Sequence, residues 1–441
     1  MVQVIFSFDT EDYVSPFSDD SILRLSEILK SDNIVGCFNM VAELSDVLIK
    51  RGRNDVIKSL ESHEIDYHSA RHTWHPTVVE YTDKENWDEG YGRFISEERQ
   101  GIKTVKDIFK RDKLYASVPP GNCISAQAIY GYSELGTDIY SGSLFKNTKG
   151  KGVWFCNLLN LENNCYVDSL LLEKGIRGIM ENINEWENWE RLIMCCHPNI
   201  INHEQFWDAL NMKGENLVKW GEWIIPPSRP DEKKERFFED FKKTIHILKE
   251  NGNFEFTTYG AISDRQKKKG HRIITCEMLL NFLKRIKENF FYVEHFGDSY
   301  SLADIFKATI HFLCQKQDGY KVENSIGPLY EPLGAEYNIT VCAEKIREAA
   351  NKLFGEKIIP HAIHMDTIVL GPRDFLEAAA QLLEGKESIQ ISKKPQLPDI
   401  NMFYRMNDFS LANTWMYPES FKDEWVTKRL KWQSWTIRSE C

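Results

Sequence analysis

The chain has 441 residues, of which 42% are hydrophobic and 27% are charged, so it can bury a core and is not an intrinsically disordered protein. Its net charge of −11 lacks the basic footprint that binding to nucleic acid requires, and no apolar run reaches the roughly 18 residues of a transmembrane helix. At about 150 residues per domain, this length predicts two to four domains.

The amino terminus and the cysteines bear on the cellular compartment. Residues 1–9 have no basic start and no cleavage signal, and their apolar character is that of a buried strand rather than of a secretory signal. The ten cysteines are irregularly spaced with no C-x-x-C pair, which is typical of reduced, buried thiols. We therefore expect a cytoplasmic protein, with a secreted protein whose signal has been removed as the open alternative.

Short apolar strands alternate with amphipathic helices over residues 1–263. We predict strands at 2–9, 34–40, 64–68, 114–118, 138–141, 192–196 and 254–259. We predict helices at 20–31, 97–109, 125–135 and 237–249, and another that passes through 56–60. This order of elements predicts an α/β fold with a parallel sheet, either open or closed into a barrel.

Residues 264–441 have a different character. The basic run at 264–270 predicts a linker, and the sequence beyond it predicts a mostly helical C-terminal domain. Two pairs of segments within this domain are similar, namely 274–280 with 339–345, and 301–306 with 371–376. The pattern indicates a duplicated helical unit, with chance similarity between amphipathic helices as the alternative. A role for this domain in capping the barrel, in substrate binding or in forming a homo-oligomer stays open.

Three carboxylates lie at the end of the first strand within four residues. Asp9, Glu11 and Asp12 repel one another when ionised, so they need either a bound cation or solvent. Strand alternation places Asp9 and Glu11 on one face of the strand. The alternative is an acidic helix N-cap, for which a single Asp would suffice.

Two histidines follow the third predicted strand. His68 and His72 are four residues apart, so on a helical turn both imidazoles lie on one side and can bind one metal ion. Two histidines and one carboxylate, with positions left open for water, form a catalytic metal site. The spacing and the upstream carboxylates together predict such a site. His75 lies close by in the sequence, and we interpret it as a rim or structural residue.

Two further predicted strands are followed by residues that suit an active site. Pro119, Pro120, Gly121 and Asn122 follow one of them, and the Pro-Pro-Gly sequence makes a rigid turn. His197 ends a later strand. The carboxyl ends of parallel strands lie along one edge of a sheet, where active sites form, so we expect these residues at the same edge as the carboxylates.

In this order, these segments resemble the motifs of the polysaccharide deacetylase family, the NodB-homology domain of carbohydrate esterases. The family's T-F-D-D-G motif is similar to residues 7–12, and its H-[ST]-x-x-H motif is matched by residues 68–72. Its R-x-P-[YF]-G motif is matched in part by residues 117–121. Its apolar strand that ends in His is matched by residues 192–197. Asp138 is the candidate for the ill-defined fourth motif. The resemblance covers roughly residues 1–260 and implies a distorted (β/α) barrel of the deacetylase type for the domain at 1–263.

The resemblance implies a set of metal ligands. His68 and His72 would bind a divalent metal ion, for which zinc is our first choice, together with a carboxylate from Glu11 or Asp12. Strand alternation favours Glu11, whereas Asp12 could reach the site if the chain turns early. By the same resemblance, Ser69 would hold the loop of the two histidines by hydrogen bonding.

The resemblance also implies a general base, Asp9, a general acid, His197, and substrate binding by residues 119–122. Together these roles describe a metal-dependent hydrolase that removes an N-acetyl or related acyl group from a carbohydrate. One alternative is a hydrolase of a non-sugar, cyclic amide on the same barrel. The other is a catalytically degenerate protein that binds glycans, with the tryptophans of the C-terminal end as stacking residues. Packing of those tryptophans against their own domain is the simpler interpretation.

Two positions depart from the family pattern. Ser117 stands where an arginine normally orients the base Asp9, so Arg71 or another residue would have to take that role. Pro120 stands where a backbone N–H usually reaches the oxyanion, and proline has no N–H. Gly121 is therefore the candidate donor.

Overall fold

The computed structural model describes residues 1–121, 123–315, 317–400 and 415–441, which form two compact units. Unit 1 contains Met1–Gly152, Asn160–Lys268 and residues 415–423. Unit 2 contains Val153–Leu159, the described residues between 269 and 400, and Glu424–Cys441. Both units therefore draw on more than one stretch of the chain.

Strands and helices alternate along the first 268 residues. The strands are β1 (Val2–Thr10), β2 (Cys37–Met40), β3 (Glu64–Tyr67), β4 (Ala116–Ser117), β5 (Ile139–Gly142), β6 (Val153–Phe155), β7 (Leu158–Glu162), β8 (Cys165–Tyr166), β9 (Arg191–Cys196) and β10 (Phe254–Phe256). The helices are α1 (Phe17–Ser31), α2 (Ala42–Lys50), α3 (Asn54–Ser59), α4 (Val78–Thr82), α5 (Trp87–Phe109), α6 (Ala126–Glu134), α7 (Val167–Lys174), α8 (Ile176–Trp186), α9 (Pro198–Asn202), α10 (Trp207–Asn211), α11 (Asp231–Asn251) and α12 (Tyr259–Lys268). Strand β6 belongs to unit 2.

The strands of unit 1 form a parallel sheet in the order β5-β4-β3-β2-β1-β9-β8. Strand β9 pairs with β1 along residues 3–8, and β2 pairs with the other edge of β1 along residues 7–10. Strand β10 also runs parallel to β1, beside residues 2–4. The sheet is a curled, open half-barrel, which confirms the predicted distorted (β/α) barrel.

Burial on both faces of the sheet explains why β1 is apolar along most of its length. Phe6 and Phe8 are fully buried, and the ring centroid of Phe8 lies 4.6 Å from that of Phe38. Helix α11 covers the same face through Phe241, whose ring centroid lies 5.2 Å from that of Phe6. Strands that are buried on both faces carry continuous apolar runs, and this is the pattern by which β1 was predicted.

The predicted linker at 264–270 is wrong over its first five residues, because helix α12 continues to Lys268. Two side chains of this helix, Ser263 and Lys267, bond the carboxylate of Asp138, and Lys113 pairs with the same carboxylate. These contacts hold the basic segment against unit 1. They also engage Asp138, the candidate for the fourth motif, in an ion-pair cluster.

The order strand, helix, hairpin, helix, strand occurs twice in unit 2. The first copy comprises β11 (Ile273–Thr275), α13 (Cys276–Glu288), β12 (Val293–His295), β13 (Asp298–Tyr300), α14 (Leu302–Cys314) and β14 (Gly319–Lys321). The second copy comprises β15 (Ile339–Cys342), α15 (Ala343–Leu353), β16 (Ile363–Met365), β17 (Ile368–Leu370), α16 (Pro372–Leu383) and β18 (Ser388–Ile391). In each copy the first strand pairs with the last in antiparallel orientation. The similar segments of the sequence thus fall on equivalent elements, with short strands added to the helices.

An aspartate in the first turn caps the second helix of each copy. Asp304 accepts a hydrogen bond from the backbone N–H of Ser301 at 2.9 Å, and Asp374 accepts one from that of Gly371 at 3.1 Å. Each aspartate satisfies a backbone donor at a helix start that has no partner within the helix. None of the helices among the described residues has both the length and the apolar character needed to cross a membrane.

The C-terminal end of the chain packs within unit 2. It contains α17 (Val426–Trp432), a 3₁₀ turn (Gln433–Thr436) and β19 (Arg438–Ser439), which pairs with β6. Trp435 is fully buried near the rings of Phe290 and Phe306, and its indole N–H donates to the carbonyl of Gln396 at 3.1 Å. This tryptophan therefore stabilises its own unit and presents no face to a glycan.

Candidate active site

Three buried side chains converge at the end of β1. Glu11 Oε2 lies 2.9 Å from His72 Nε2 and 3.3 Å from His68 Nε2. One ligand atom from each of the three residues lies within 4.8 Å of the other two. Glu11 Oε1 is also buried, and none of the described residues hydrogen-bonds it. A buried, unpaired carboxylate oxygen beside two imidazoles is the donor set that a divalent cation satisfies.

The two histidines belong to an irregular loop rather than to the helical turn that their spacing suggested. Ser69 and His72 both have positive φ values, 83° and 54°. The backbone N–H of His72 donates to Ser69 Oγ at 3.0 Å, the kind of bond expected for this serine. Non-glycine residues adopt this backbone region at a cost, and such strain gathers at functional sites. The loop therefore turns both imidazoles towards Glu11.

His72 is held from its other side by a carboxylate that sequence analysis missed. Its Nδ1 lies 3.3 Å from Asp208 Oδ2 and 3.2 Å from Thr73 Oγ1, and Thr73 in turn donates to Asp208. A proton on Nδ1 leaves the lone pair of Nε2 free on the side of Glu11. Asp208 lies in helix α10, within the long connection after β9, where no sequence pattern indicated it.

Asp12 does not join the two histidines. Its Oδ1 accepts hydrogen bonds from the backbone N–H groups of Val14 at 3.0 Å and Ser15 at 2.9 Å, and its Oδ2 accepts one from Ser18 at 2.5 Å. The side chain thus organises the turn that leads into α1. Burial raises the pKa of Asp12 to about 7, against the effect of these hydrogen bonds. Of the two alternative ligands, the structure places Glu11 with the histidines.

Asp9 lies between the histidine loop and the end of β9. Its Oδ1 accepts a hydrogen bond from Asn39 Nδ2 at 2.7 Å and lies 4.0 Å from His68 Nδ1. Its Oδ2 lies 3.6 Å from His197 Nε2 and accepts a hydrogen bond from the thiol of Cys195 at 3.4 Å. Asn39, at the end of β2, therefore orients this carboxylate.

Ser117, which stands in place of the family's arginine, and Arg71, the candidate substitute, both make other contacts. Ser117 Oγ donates to Thr137 Oγ1 at 3.1 Å. Arg71 is exposed, and its guanidinium lies 5.8 Å from the ring centroid of Trp220. His75 is fixed by Glu80, 2.8 Å from its Nδ1, which agrees with a structural role.

His197 is paired with a second carboxylate that sequence analysis missed. Asp168 Oδ2 accepts hydrogen bonds from His197 Nδ1 at 2.6 Å and from its backbone N–H at 2.8 Å. Burial alone would lower the pKa of His197, but Asp168, with smaller contributions from Glu11 and Asp9, raises it to about 10. Asp168 stands in the first turn of α7, at a position that no sequence motif indicated.

The proline corner after β4 is buried. Pro119 and Pro120 are buried, and Gly121 has a φ of 54°. A Cβ atom at Gly121 would lie 2.7 Å from both Sδ and Cε of Met416, so only glycine fits without a shift. Asn122, predicted to bind substrate with these three residues, lies outside the described residues.

No known family model and no curated protein matches this sequence. The fold is similar to that of solved structures of polysaccharide deacetylases of the CE4 type, at low sequence identity. A peptidoglycan N-acetylglucosamine deacetylase shares 14% identity with a TM-score of 0.33, over 58% of this chain and 85% of that chain. The CE4 domain of a multidomain xylanase from the hindgut metagenome of Trinervitermes trinervoides shares 10% identity with a TM-score of 0.33, over 60% and 91%.

A CE4-family pseudoenzyme from Bacillus anthracis shares 10% identity with a TM-score of 0.34, over 60% of this chain and 65% of that chain. The similar structures include both a deacetylase and a pseudoenzyme.

Proposed function

We propose that this protein is a metal-dependent hydrolase that removes an N-acetyl or related acyl group from a carbohydrate. The observation that carries the proposal is the convergence of Glu11, His68 and His72 beside a facing pair, Asp9 and His197. A cation site next to an acid–base pair is what hydrolysis of an amide requires. The resemblance of the sequence motifs supplies the substrate class.

The metal ion would be held by Glu11 Oε2, His68 Nε2 and His72 Nε2. The lone pairs of the two ring nitrogens can bind a cation. Glu11 Oε1, which has no hydrogen-bond partner among the described residues, also favours a cation at this carboxylate. Two histidines and one carboxylate favour zinc. When bound, the ion would supply Lewis acidity at the acyl carbonyl and would acidify water.

Asp9 is the general base of the proposed reaction. As water attacks the acyl carbon, Asp9 Oδ2 accepts the proton that the water loses. Asn39 holds Oδ1 at 2.7 Å, which fixes the plane of the carboxylate. This neutral amide takes the place of the arginine that the family pattern would supply.

His197 is the general acid. Its Nε2 proton passes to the departing amine nitrogen as the carbon–nitrogen bond breaks, so the products are a carboxylate and a free amine. Asp168 holds Nδ1 at 2.6 Å and stabilises the imidazolium, whose raised pKa of about 10 keeps the ring protonated at neutral pH. The backbone N–H of Gly121 is proposed to bind the oxyanion.

Acetate release from oligomers of N-acetylglucosamine by the purified protein tests the proposal. We expect His68→Ala and Asp9→Asn to abolish release, whereas the exposed controls His246→Ala and Asp46→Asn should keep wild-type activity. Undiminished activity in either site variant would contradict the assignment. Turnover of cyclic amides without acetate release would favour the non-sugar hydrolase instead, and glycan binding without turnover would favour the degenerate protein.

A further inference from the structure

A chain of hydrogen bonds runs from the carboxylate of Asp9 into the interior of unit 1. Asn39 Nδ2 donates to Asp9 Oδ1 at 2.7 Å and to Ser7 Oγ at 2.9 Å. Beyond Ser7, the hydroxyl oxygen of Tyr259 lies 3.0 Å from Ser7 Oγ. Ser7, Asn39 and Tyr259 are all fully buried. The proposed mechanism uses Asp9 and Asn39 but gives no part to Ser7 or Tyr259.

Helix α12 brings Tyr259 to this chain of hydrogen bonds. Ser7 and Asn39 lie on the paired strands β1 and β2. Tyr259 is the first residue of α12, which follows β10, and β10 runs beside β1. A third neighbouring strand therefore positions this tyrosine, 252 residues from Ser7 in the sequence.

The hydroxyl protons can serve every contact of the chain in only one order. Ser141 Oγ lies 2.9 Å from the Tyr259 hydroxyl and donates to Asn163 Oδ1 at 2.6 Å. Because a hydroxyl has one proton, Ser141 accepts from Tyr259, and the oxygen of Tyr259 accepts from Ser7. Burial raises the pKa of Tyr259 well above its usual value of 10, so the hydroxyl keeps the proton that this order needs. The lone pairs of Ser7 Oγ are then free to accept the N–H of Asn39.

This order of protons determines which atom of the Asn39 amide faces Asp9. If the amide were turned by 180°, its oxygen would oppose the carboxylate, and Ser7 would have to donate to Asn39 instead of Tyr259. Asn39 Oδ1 is buried and has no hydrogen-bond partner among the described residues. An unpaired buried acceptor is costly, so the two bonds of the amide nitrogen are what hold the side chain in this orientation.

We propose that Tyr259 is a positioning residue for the general base, Asp9. Its hydroxyl accepts the hydrogen bond of Ser7, which keeps Ser7 an acceptor and keeps the N–H of Asn39 on the carboxylate. Asp9 Oδ2 is thereby presented to the attacking water with the carboxylate plane fixed. Neutral groups thus orient the base, where the family pattern has an arginine. This inference rests on the proposed function and adds to it a residue that belongs to none of the sequence motifs.

The kinetics of acetate release by two variants test this role. Tyr259→Phe removes the hydroxyl alone and frees Ser7 to donate to Asn39, so we expect kcat to fall about tenfold, as loss of one buried hydrogen bond predicts. KM should stay within about twofold, because Tyr259 is buried behind the base. Ser141→Ala keeps the tyrosine but removes the acceptor of its proton, so it should also lower kcat. Wild-type kcat in Tyr259→Phe would overturn the proposal.

A double variant separates positioning from a general loss of stability. If Tyr259 acts through Ser7, the protein with both Ser7→Ala and Tyr259→Phe should have the kcat of Ser7→Ala alone, within about twofold. Independent structural defects would multiply instead, and a further tenfold loss in the double variant would contradict the proposal. Tyr300→Phe is the matched control, because it removes the hydroxyl of a buried tyrosine in unit 2, and it should keep wild-type kcat.

Urea unfolding separates this inference from the proposed function, because it needs no turnover. No hydrogen bond joins Asp9 directly to Tyr259 within the described part of the chain, so changes at the two residues should be additive unless the chain couples them. With Asp9→Asn the amide of Asn39 no longer opposes a charge when it turns, so the added change Tyr259→Phe should cost less. We expect the unfolding constant of the double variant to depart about tenfold from the product of the single effects.

The two measurements together distinguish the possible failures. Coupling of that size in a protein that releases no acetate would remove the proposed function and leave Tyr259 as the residue that positions Asp9. Additive effects on unfolding would overturn the positioning role, whether or not the protein releases acetate.

Discussion

His197 donates a hydrogen bond from Nδ1 to Asp168 Oδ2 across 2.6 Å. The two residues are 29 positions apart, at the end of β9 and the start of α7, and the parallel pairing of β8 with β9 brings them together. The bond turns the other ring nitrogen, Nε2, towards Asp9. It thereby defines which nitrogen of His197 can exchange a proton with a substrate.

Replacement of that carboxylate should cost activity more than stability. In Asp168→Asn, the imidazolium of His197 loses its charged partner, so the pKa of His197 should fall. We expect kcat to fall by about 10²–10⁴, as for other histidines deprived of an orienting carboxylate. Acetate release by the purified variant measures the effect, with Asp46→Asn as the exposed control. A variant with wild-type kcat would show that Asp168 is dispensable.

The pH dependence of stability follows from the raised pKa of His197. Its pKa is raised from 6.5 to about 10, so the stabilisation by the protonated ring is complete below about pH 6.5 and is lost as pH rises through about 10. In metal-free protein, the free-energy difference in unfolding between wild type and His197→Gln should therefore shrink from pH 6 to pH 10. Urea titrations at the two pH values measure it. A free-energy difference that grows with pH would contradict the raised pKa of His197.

Asp208 should tune metal affinity through His72. Outer carboxylates that bond a metal-binding histidine typically contribute 10–100-fold to affinity, so Asp208→Asn should weaken zinc binding by about that factor. Competition with a chromophoric chelator gives the dissociation constants. Asp46→Asn should leave them unchanged, and equal affinity in Asp208→Asn and wild type would remove Asp208 from this role.

Gly121 and Met416 should be coupled energetically. Gly121→Ala meets both a positive φ and the side chain of Met416, so we expect a loss of about 1–2 kcal/mol in the free energy of unfolding. Met416→Ala removes the steric part alone. The double variant should therefore lose less than the sum of the two single losses. Strict additivity in urea unfolding would show that the two residues do not interact.

Strand ends were the part of the site that could be predicted from sequence. Asp9, Glu11, His68 and His197 each end or follow a strand, and parallel strands bring those ends to one edge. Strand alternation favoured Glu11 over Asp12 as the metal ligand only weakly. It depends on the turn after β1, where Asp12 bonds two backbone N–H groups and Ser18.

The orienting residues could not be predicted because each is a single polar side chain with no spacing pattern. Asp168 and Asp208 lie on short helices whose positions depend on the packing of the whole unit. Asn39 is different, because it stands at the end of β2, beside Asp9 in the sheet register. Its place near a strand end is therefore a sequence signal that predicts it at the same edge of the sheet.

Metal content is the most direct test of the central claim, that Glu11 and the two histidines bind a catalytic cation. Wild type and two variants, Glu11→Gln and Asp12→Asn, would be loaded with zinc, freed of excess and assayed by elemental analysis and acetate release. We expect about one ion per chain in wild type and in Asp12→Asn, and loss of both ion and activity in Glu11→Gln. A Glu11→Gln protein that retains its zinc, or a wild type that binds none, would contradict the account.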